Sequence, residues 1–380
     1  SGTGGAALTG GSTGTSGTGM AAGTGAVPST GGAAGGTVST GGATAGVTGT
    51  GGVAGTGGVA GTGGAVTGGT GGTGGTGGTT PVSNKLRVIA STDIGGSDSD
   101  DIQSMVHFLV YADQWDVEGL ISSPWHDGRV ADILKVIDVY EKDYPNLSTH
   151  SDYPTAEYLR SVTKQGATDK AGSSGHDGPT EGSEWIAEVA KRDDPRPVWI
   201  TVWGCIDDVA QVLHDHPDIT PKLRVYWIAG PNRKHSPNSS PYLAANHKDL
   251  WIIEADETYR GFFNGGDTSG GYGNGDWPRE HVAGHGHLGD YFMGIRSGIK
   301  MGDTPAVLYT LDNAVKNPDD PTKPGWGGAF IPCGADRPNC WEDDPSKSDS
   351  GYDGAATVNV HRKAWLDDWG AMMDRAQAPK

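Results

Sequence analysis

Six short apolar runs punctuate the chain from Val88 onward: VIAST, VEGLISS at Val117, PVWITVW at Pro197, LRVYWIAG at Leu223, LWIIEA at Leu250 and PAVLYTL at Pro305. Each has the length of a strand, and an apolar run with no polar alternation is what a strand covered on both faces looks like. Between them lie segments of helical periodicity. Ile102, Met105, Val106, Leu109 and Val110 share one face, as do Val130, Ile133, Val136, Ile137 and Tyr140. Further helices are expected over 155–162, from a Ser183 cap to about Arg192, over 206–214, across 280–300 and over 362–375. Strands alternating with helices give an α/β fold, an open and mostly parallel sheet with helices on both faces. The glycine-rich stretches 164–182 and 259–278 and the span 313–353 read as loops, the second as a rim carrying Tyr272 and Trp277.

The first 84 residues contain no charged and no aromatic side chain and are built almost wholly from Gly, Thr, Ala, Ser and Val. Such a segment cannot bury a core, so residues 1–84 are expected to be a disordered low-complexity linker and 85–380 the folded domain. The linker is uncharged, so all 28 basic and 46 acidic residues fall in the folded part, for a net charge of −18. A strongly acidic surface argues against a duplex nucleic acid partner. No apolar run is long enough to span a membrane. With Ser1 in place of an initiator methionine, the chain is expected to be a trimmed product, and the linker fits a secreted or surface-tethered protein. Cys333 and Cys340, seven apart in PCGADRPNC, are candidates for a loop disulfide, while Cys205 reads as a buried free thiol.

The chemistry concentrates where the first run ends. In TDIGGSDSDD four aspartates, Asp93, Asp98, Asp100 and Asp101, crowd into nine residues between a strand end and a helix start. Carboxylates this close repel one another, and protonation or a bound cation must relieve them. A hard, oxygen-seeking cation such as Ca2+ is the natural partner.

At this point the residues resemble the nucleoside hydrolases, and within that superfamily the secreted nucleoside hydrolase-like branch of cellulose-binding Sde182 type. TDIGGSDSDDIQSMVHFLVYADQWDVEGLISSP carries most of the resemblance, supported by KRDDPRPVWITVWG, LRVYWIAGPN, HKDLWIIEADETYRGFF and AGHGHLGDYF; it covers about 85–380. It implies a Ca2+ site, with Asp93 as ligand and general base, Asp101 as a further ligand, and Asp98 or Asp100 as the residue beside them that binds the metal or touches sugar hydroxyls, since the loop is longer than the family's spacing. It implies Trp203 as a ligand through its main-chain carbonyl, and Asp290 as the last acidic ligand, with His285 or His287 as acid or orienting group. Asn232, Asn246, His126 and His176 are the implied substrate contacts, although Ala244 stands where the family places a glutamate. The implied partner is a nucleoside or a saccharide, including a polysaccharide, and the implied reaction is hydrolysis of an N-glycosidic or related bond.

Other readings of the same residues remain. His281, His285 and His287 form a candidate zinc cluster, though HExxH is absent. Glu181 or Glu254 could pair with Asp93 as in two-carboxylate glycosidases. Trp125, Trp277, Trp326 and Trp341 fall in loops where a sugar could stack. The whole fold could serve as a non-catalytic cellulose-binding module.

Overall fold

The computed structural model describes residues 83–378, apart from 97, 124–128 and 312–317. The expected linker therefore lies, but for Ser83 and Asn84, outside the described residues, as do Trp125 and His126.

Eight strands form one sheet: β1 (Leu86–Thr92), β2 (Trp115–Ser122), β3 (Thr163–Gln165), β4 (Val198–Val202), β5 (Leu223–Ile228), β6 (Trp251–Ala255), β7 (Phe330–Pro332) and β8 (Cys340–Asp343). Their order is β3-β2-β1-β4-β5-β6-β8-β7, with every pairing parallel except β7 with β8. From β1 the chain moves outward through β2 and β3, then returns to β4 on the other side. That reversal opens a crevice at the carboxyl ends of β1 and β4, where ligands bind in open α/β sheets.

Alternation along each strand feeds two cores. Val88, Ala90, Trp199, Tyr226 and Ile253 point to one face, and Ile89, Ile200, Val225 and Ile252 to the other. The first face is covered by α1 (Asp100–Val110) and α2 (Val130–Leu147), with α3 (Ala156–Ser161) beside β2. The second is covered by α4 (Glu181–Lys191), α5 (Asp207–Asp215) and α6 (Ser239–Asn246). The remaining helices are α7 (Trp277–His281), α8 (Gly286–Ile295), α9 (Thr304–Thr310), α10 (Ala356–Asn359) and α11 (Arg362–Asp374). Among the described residues no helix is long and apolar enough to cross a membrane.

Five expectations need correction. The span 313–353 is not all loop, since its described residues include β7 and β8. The run at Pro305 is helix α9, not a strand. Pro305 sits in its first turn, where a missing N–H costs nothing, and a short buried apolar run has no period that separates helix from strand. The stretch 280–300 is not one helix: Gly284 and Gly286, at φ +77° and +74°, break it between α7 and α8. The cap of α4 is Thr180, which exchanges hydrogen bonds with Ser183 in a capping box, so Ser183 lies inside the first turn. Trp277 is no rim residue. It is fully buried and stacks on Trp369 at 4.9 Å. The Cys333–Cys340 disulfide is formed, and Cys205 is a buried free thiol.

Candidate functional site

The acidic loop turns directly off β1. Gly95 at φ +86° lets the chain reverse, and the Gly96 amide donates to the Asp93 carbonyl at 2.9 Å. The loop then delivers Asp100 and Asp101 as the first residues of α1. Thr92 donates its hydroxyl to Asp101 at 2.5 Å and accepts the Ile94 amide at 3.1 Å, so the strand end fixes the helix start. Thr304 bonds Ser104 at 3.1 Å, drawing α9 against α1 and placing Asp303, the residue before α9, beside the pair. Carboxylate oxygens of Asp100, Asp101 and Asp303 lie within 4.8 Å of one another.

Two glycines make room. A Cβ on Gly204, just past β4, would lie 2.4 Å from the Asp93 carboxyl carbon. One on Gly302 would lie 2.8 Å from an Asp100 oxygen, and the Gly302 backbone helps to hold that carboxyl's charge.

These carboxyls are held far from their usual acidity. Burial first, offset in part by a hydrogen bond with Asp101 and reinforced by the Asp100 charge, raises Asp93 to about 6. Burial and the neighbouring Asp101 raise Asp100 to about 7. Asp101 and Asp303 are pushed well up by burial and then by the other aspartates. One Asp303 oxygen is buried without any hydrogen-bond partner. Lys300 offsets only part of this charge: it pairs with the half-exposed Asp98 and stands 3.8 Å from Asp100.

The aspartates line a cavity of about 310 Å³. Trp203 and Asn232 join the wall; the Asn232 amide donates to the carbonyls of Trp203 at 2.8 Å and Ile228 at 2.9 Å. The Trp203 carbonyl keeps one lone pair. Also on the wall are Lys234, His235, Tyr259, Arg260 and Phe263. Of the residues singled out in the sequence, Asp93, Asp98, Asp100, Asp101, Trp203 and Asn232 thus share one cavity.

The others lie elsewhere. Asp290 is exposed and accepts the Gly284 amide at 2.9 Å, and Asp303 stands where a further carboxylate was sought. His285 faces Asp374 at 3.2 Å and His287 faces Asp143 at 2.7 Å, because α8 is seated against α1 and α2, off the cavity wall. His281 stacks on Trp277, so the three histidines do not converge on a zinc ion. His176 stacks on His214 at 3.4 Å beside a second cavity, and Asn246 bonds its own helix at Tyr242. Glu181 receives the Gln165 amide and faces Lys164, while Glu254 is held by Arg233 and Arg337. Neither lines the cavity with Asp93. Trp326 and Trp341 are partly buried and pack against the core, away from the aspartate cavity.

The sequence pattern hides Asp303, because MGDTP leads into an apolar run that reads as a strand. Asp followed by Thr-Pro is a helix-start signal, and reading it so would have put a carboxylate at a helix N-terminus.

The family model for cellulose-binding Sde182, nucleoside hydrolase-like domain, matches residues 87–330. Among solved structures, a nucleoside hydrolase-related hypothetical protein from Saccharophagus degradans, associated with carbohydrate metabolism, is 27% identical; the match covers 78% of this chain and 73% of that one at a TM-score of 0.64. A plant nucleoside hydrolase is 12% identical over 77% of this chain and 99% of its own, at 0.44, and the effector protein XOO4466 is 10% identical over 77% and 94%, at 0.47. No functionally curated protein matches the sequence.

Proposed function

The chain belongs to the nucleoside hydrolase-like domain family of cellulose-binding Sde182, and on that premise we propose that it is a secreted, Ca2+-dependent hydrolase of glycosidic bonds in a saccharide or nucleoside. The observation that carries the proposal is the set of half-buried Asp100 and buried Asp101 and Asp303, with one Asp303 oxygen lacking any partner among the described residues. An all-oxygen, mostly carboxylate donor set fits a hard cation, and Asp93 and the free lone pair of the Trp203 carbonyl can complete it. When bound, such an ion supplies positive charge that keeps the carboxylates ionised and makes nearby water more acidic.

The chain's own residues do the rest. Asp93, raised to about 6, is ionised at neutral pH yet basic enough to take a proton from an attacking water. Asp100, at the α1 start, faces the cavity where sugar hydroxyls would donate to it. Anionic oxygens around the anomeric carbon favour the oxocarbenium-like charge that develops as the bond breaks. His235 is the histidine on the cavity wall and the candidate to protonate a leaving group. The uncharged N-terminal stretch and the Cys333–Cys340 disulfide support secretion.

A second reading is a cellulose-binding module without turnover. It is favoured by the positions of His285 and His287 away from the cavity, which leave His235 as the candidate acid. Sugar release by the full chain from ribonucleosides, aryl glycosides and plant oligosaccharides, each with Ca2+ and with chelator, separates the two. Release abolished by chelator supports the hydrolase; retention on cellulose with no release from any substrate supports the module.

A further inference from the structure

The cavity also has a positive pole. In this acidic chain the buried or half-buried guanidinium groups are mostly claimed: Arg87 by Glu118, Arg196 by Asp194 and Asp116, Arg233 by Glu254 and Asp256, Arg375 by Asp113. Arg260, on the cavity wall, is different. Among the described residues its side chain makes no ion pair and no hydrogen bond, and its Nε is buried without a partner. The guanidinium lies over the Tyr259 ring at 5.0 Å and the Tyr352 ring at 4.9 Å. Stacking of this kind uses the faces of the group and leaves its edge, the part that binds carboxylate and phosphate in a two-pronged fashion, unused.

Tyr259 ties it to the acidic floor. A Cβ on Gly302 would touch both an Asp100 oxygen at 2.8 Å and the Tyr259 ring at 3.4 Å, so the ring on which Arg260 stacks also lies beside Asp100. Lys234, exposed on the same wall, likewise has no carboxylate partner among the described residues, whereas Lys300 is taken by Asp98. A neutral ligand would leave the buried Nε unsatisfied and two charges idle.

We propose that the cavity selects an anionic glycoside, whose carboxylate or phosphate is gripped by the edge of Arg260 with Lys234 supplying a second charge while its sugar faces the aspartates. This rests on the glycoside-binding cavity proposed above but not on turnover.

The test is calorimetry on the full chain with matched probes, methyl glucuronoside against methyl glucoside and ribose 5-phosphate against ribose, each with Ca2+ and with chelator. In at least one pair the anionic member should bind about tenfold tighter, with the margin shrinking as salt rises and surviving chelation. Preference in the first pair alone identifies a carboxylate, and in the second alone a phosphate. R260Q should erase the preference while leaving neutral affinity within about twofold, and K234Q should reduce it. Equal affinities within both pairs overturn the inference; Ca2+-dependent binding of the neutral sugars would still leave the proposed function standing. A preference lost on chelation means the anion sits on the cation, and equal weakening of both members by R260Q makes Arg260 a structural strut. Either result overturns the inference, and binding of no probe overturns it together with the reading it rests on. Should R260Q fail to fold, the wild-type pairs and K234Q still decide.

Discussion

At the scale of single residues, the site is held by what surrounds the carboxylates as much as by the carboxylates themselves. Asp303→Asn keeps size and removes one charge from the buried trio. We expect Ca2+ affinity to fall at least about tenfold, because an amide oxygen replaces a charged ligand. Unchanged affinity by calorimetry would remove Asp303 from the site. Gly204→Ala tests the room rather than the charge. Its Cβ would fall 2.4 Å from the Asp93 carboxyl carbon, so Asp93 or the strand end must move, at a cost of about 1–3 kcal/mol. Ca2+ affinity and any sugar release should drop together in that variant; a stable protein with wild-type Ca2+ binding would show that the Asp93 position is not critical. Asp93, Asp100 and Asp101 were legible because a strand end, a glycine turn and a helix start fall within a few residues. Asp303 was not, because its place depends on a packing contact some two hundred residues away in sequence, Thr304 to Ser104. Arg260 carries no local signal at all; its isolation exists only once the tyrosines on either side are in place.

At the scale of elements, the strands with continuous apolar runs and the helices with clear periodicity could be read directly, since burial on both faces or on one face leaves its mark in composition. The short strands β3, β7 and β8 could not, because three or four residues at or next to a sheet edge need no apolar run. The misreading of α9 mattered most, since a helix there brings its preceding residue to the crevice and a strand would not. The opposite error was to send α8 to the site. Its start is fixed by Asp143 of α2, which is 1% exposed and accepts the amides of His287 at 2.9 Å and Leu288 at 2.7 Å together with the His287 ring. Asp143→Ala leaves those amides without a buried acceptor, and we expect a loss of about 1–3 kcal/mol in unfolding free energy. Ca2+ affinity should stay at the wild-type value, measured by calorimetry beside the denaturation curves. A variant that loses Ca2+ binding while keeping its stability would return α8 to the site.

For the whole molecule, the cluster couples folding to pH and to the cation. Asp93 and Asp100 hold protons up to about 6 and about 7 in the folded chain, against 3.8 for an ordinary aspartate. Their folded pKa is raised, so the stability they contribute is complete below about 3.8 and is lost as pH climbs through the range 6–7. Above that range the unbound cluster carries buried, mutually repelling charge. A cation binds the ionised form and competes with protons, so it restores more stability the higher the pH. His107, buried and lowered to about 3, pulls the other way, since it resists the proton that the unfolded chain accepts near 6.5. It does so equally with and without the ion, and the difference between the two conditions cancels it. We therefore expect the gap in melting temperature between Ca2+ and chelator to be small near pH 5 and to widen through pH 6 and 7. At pH 8, with the ion at about a hundredfold excess over its dissociation constant, it should reach about 5 °C. Asp303→Asn should flatten the profile. A gap that stays constant from pH 5 to pH 8 would mean that the ion binds somewhere other than these carboxylates.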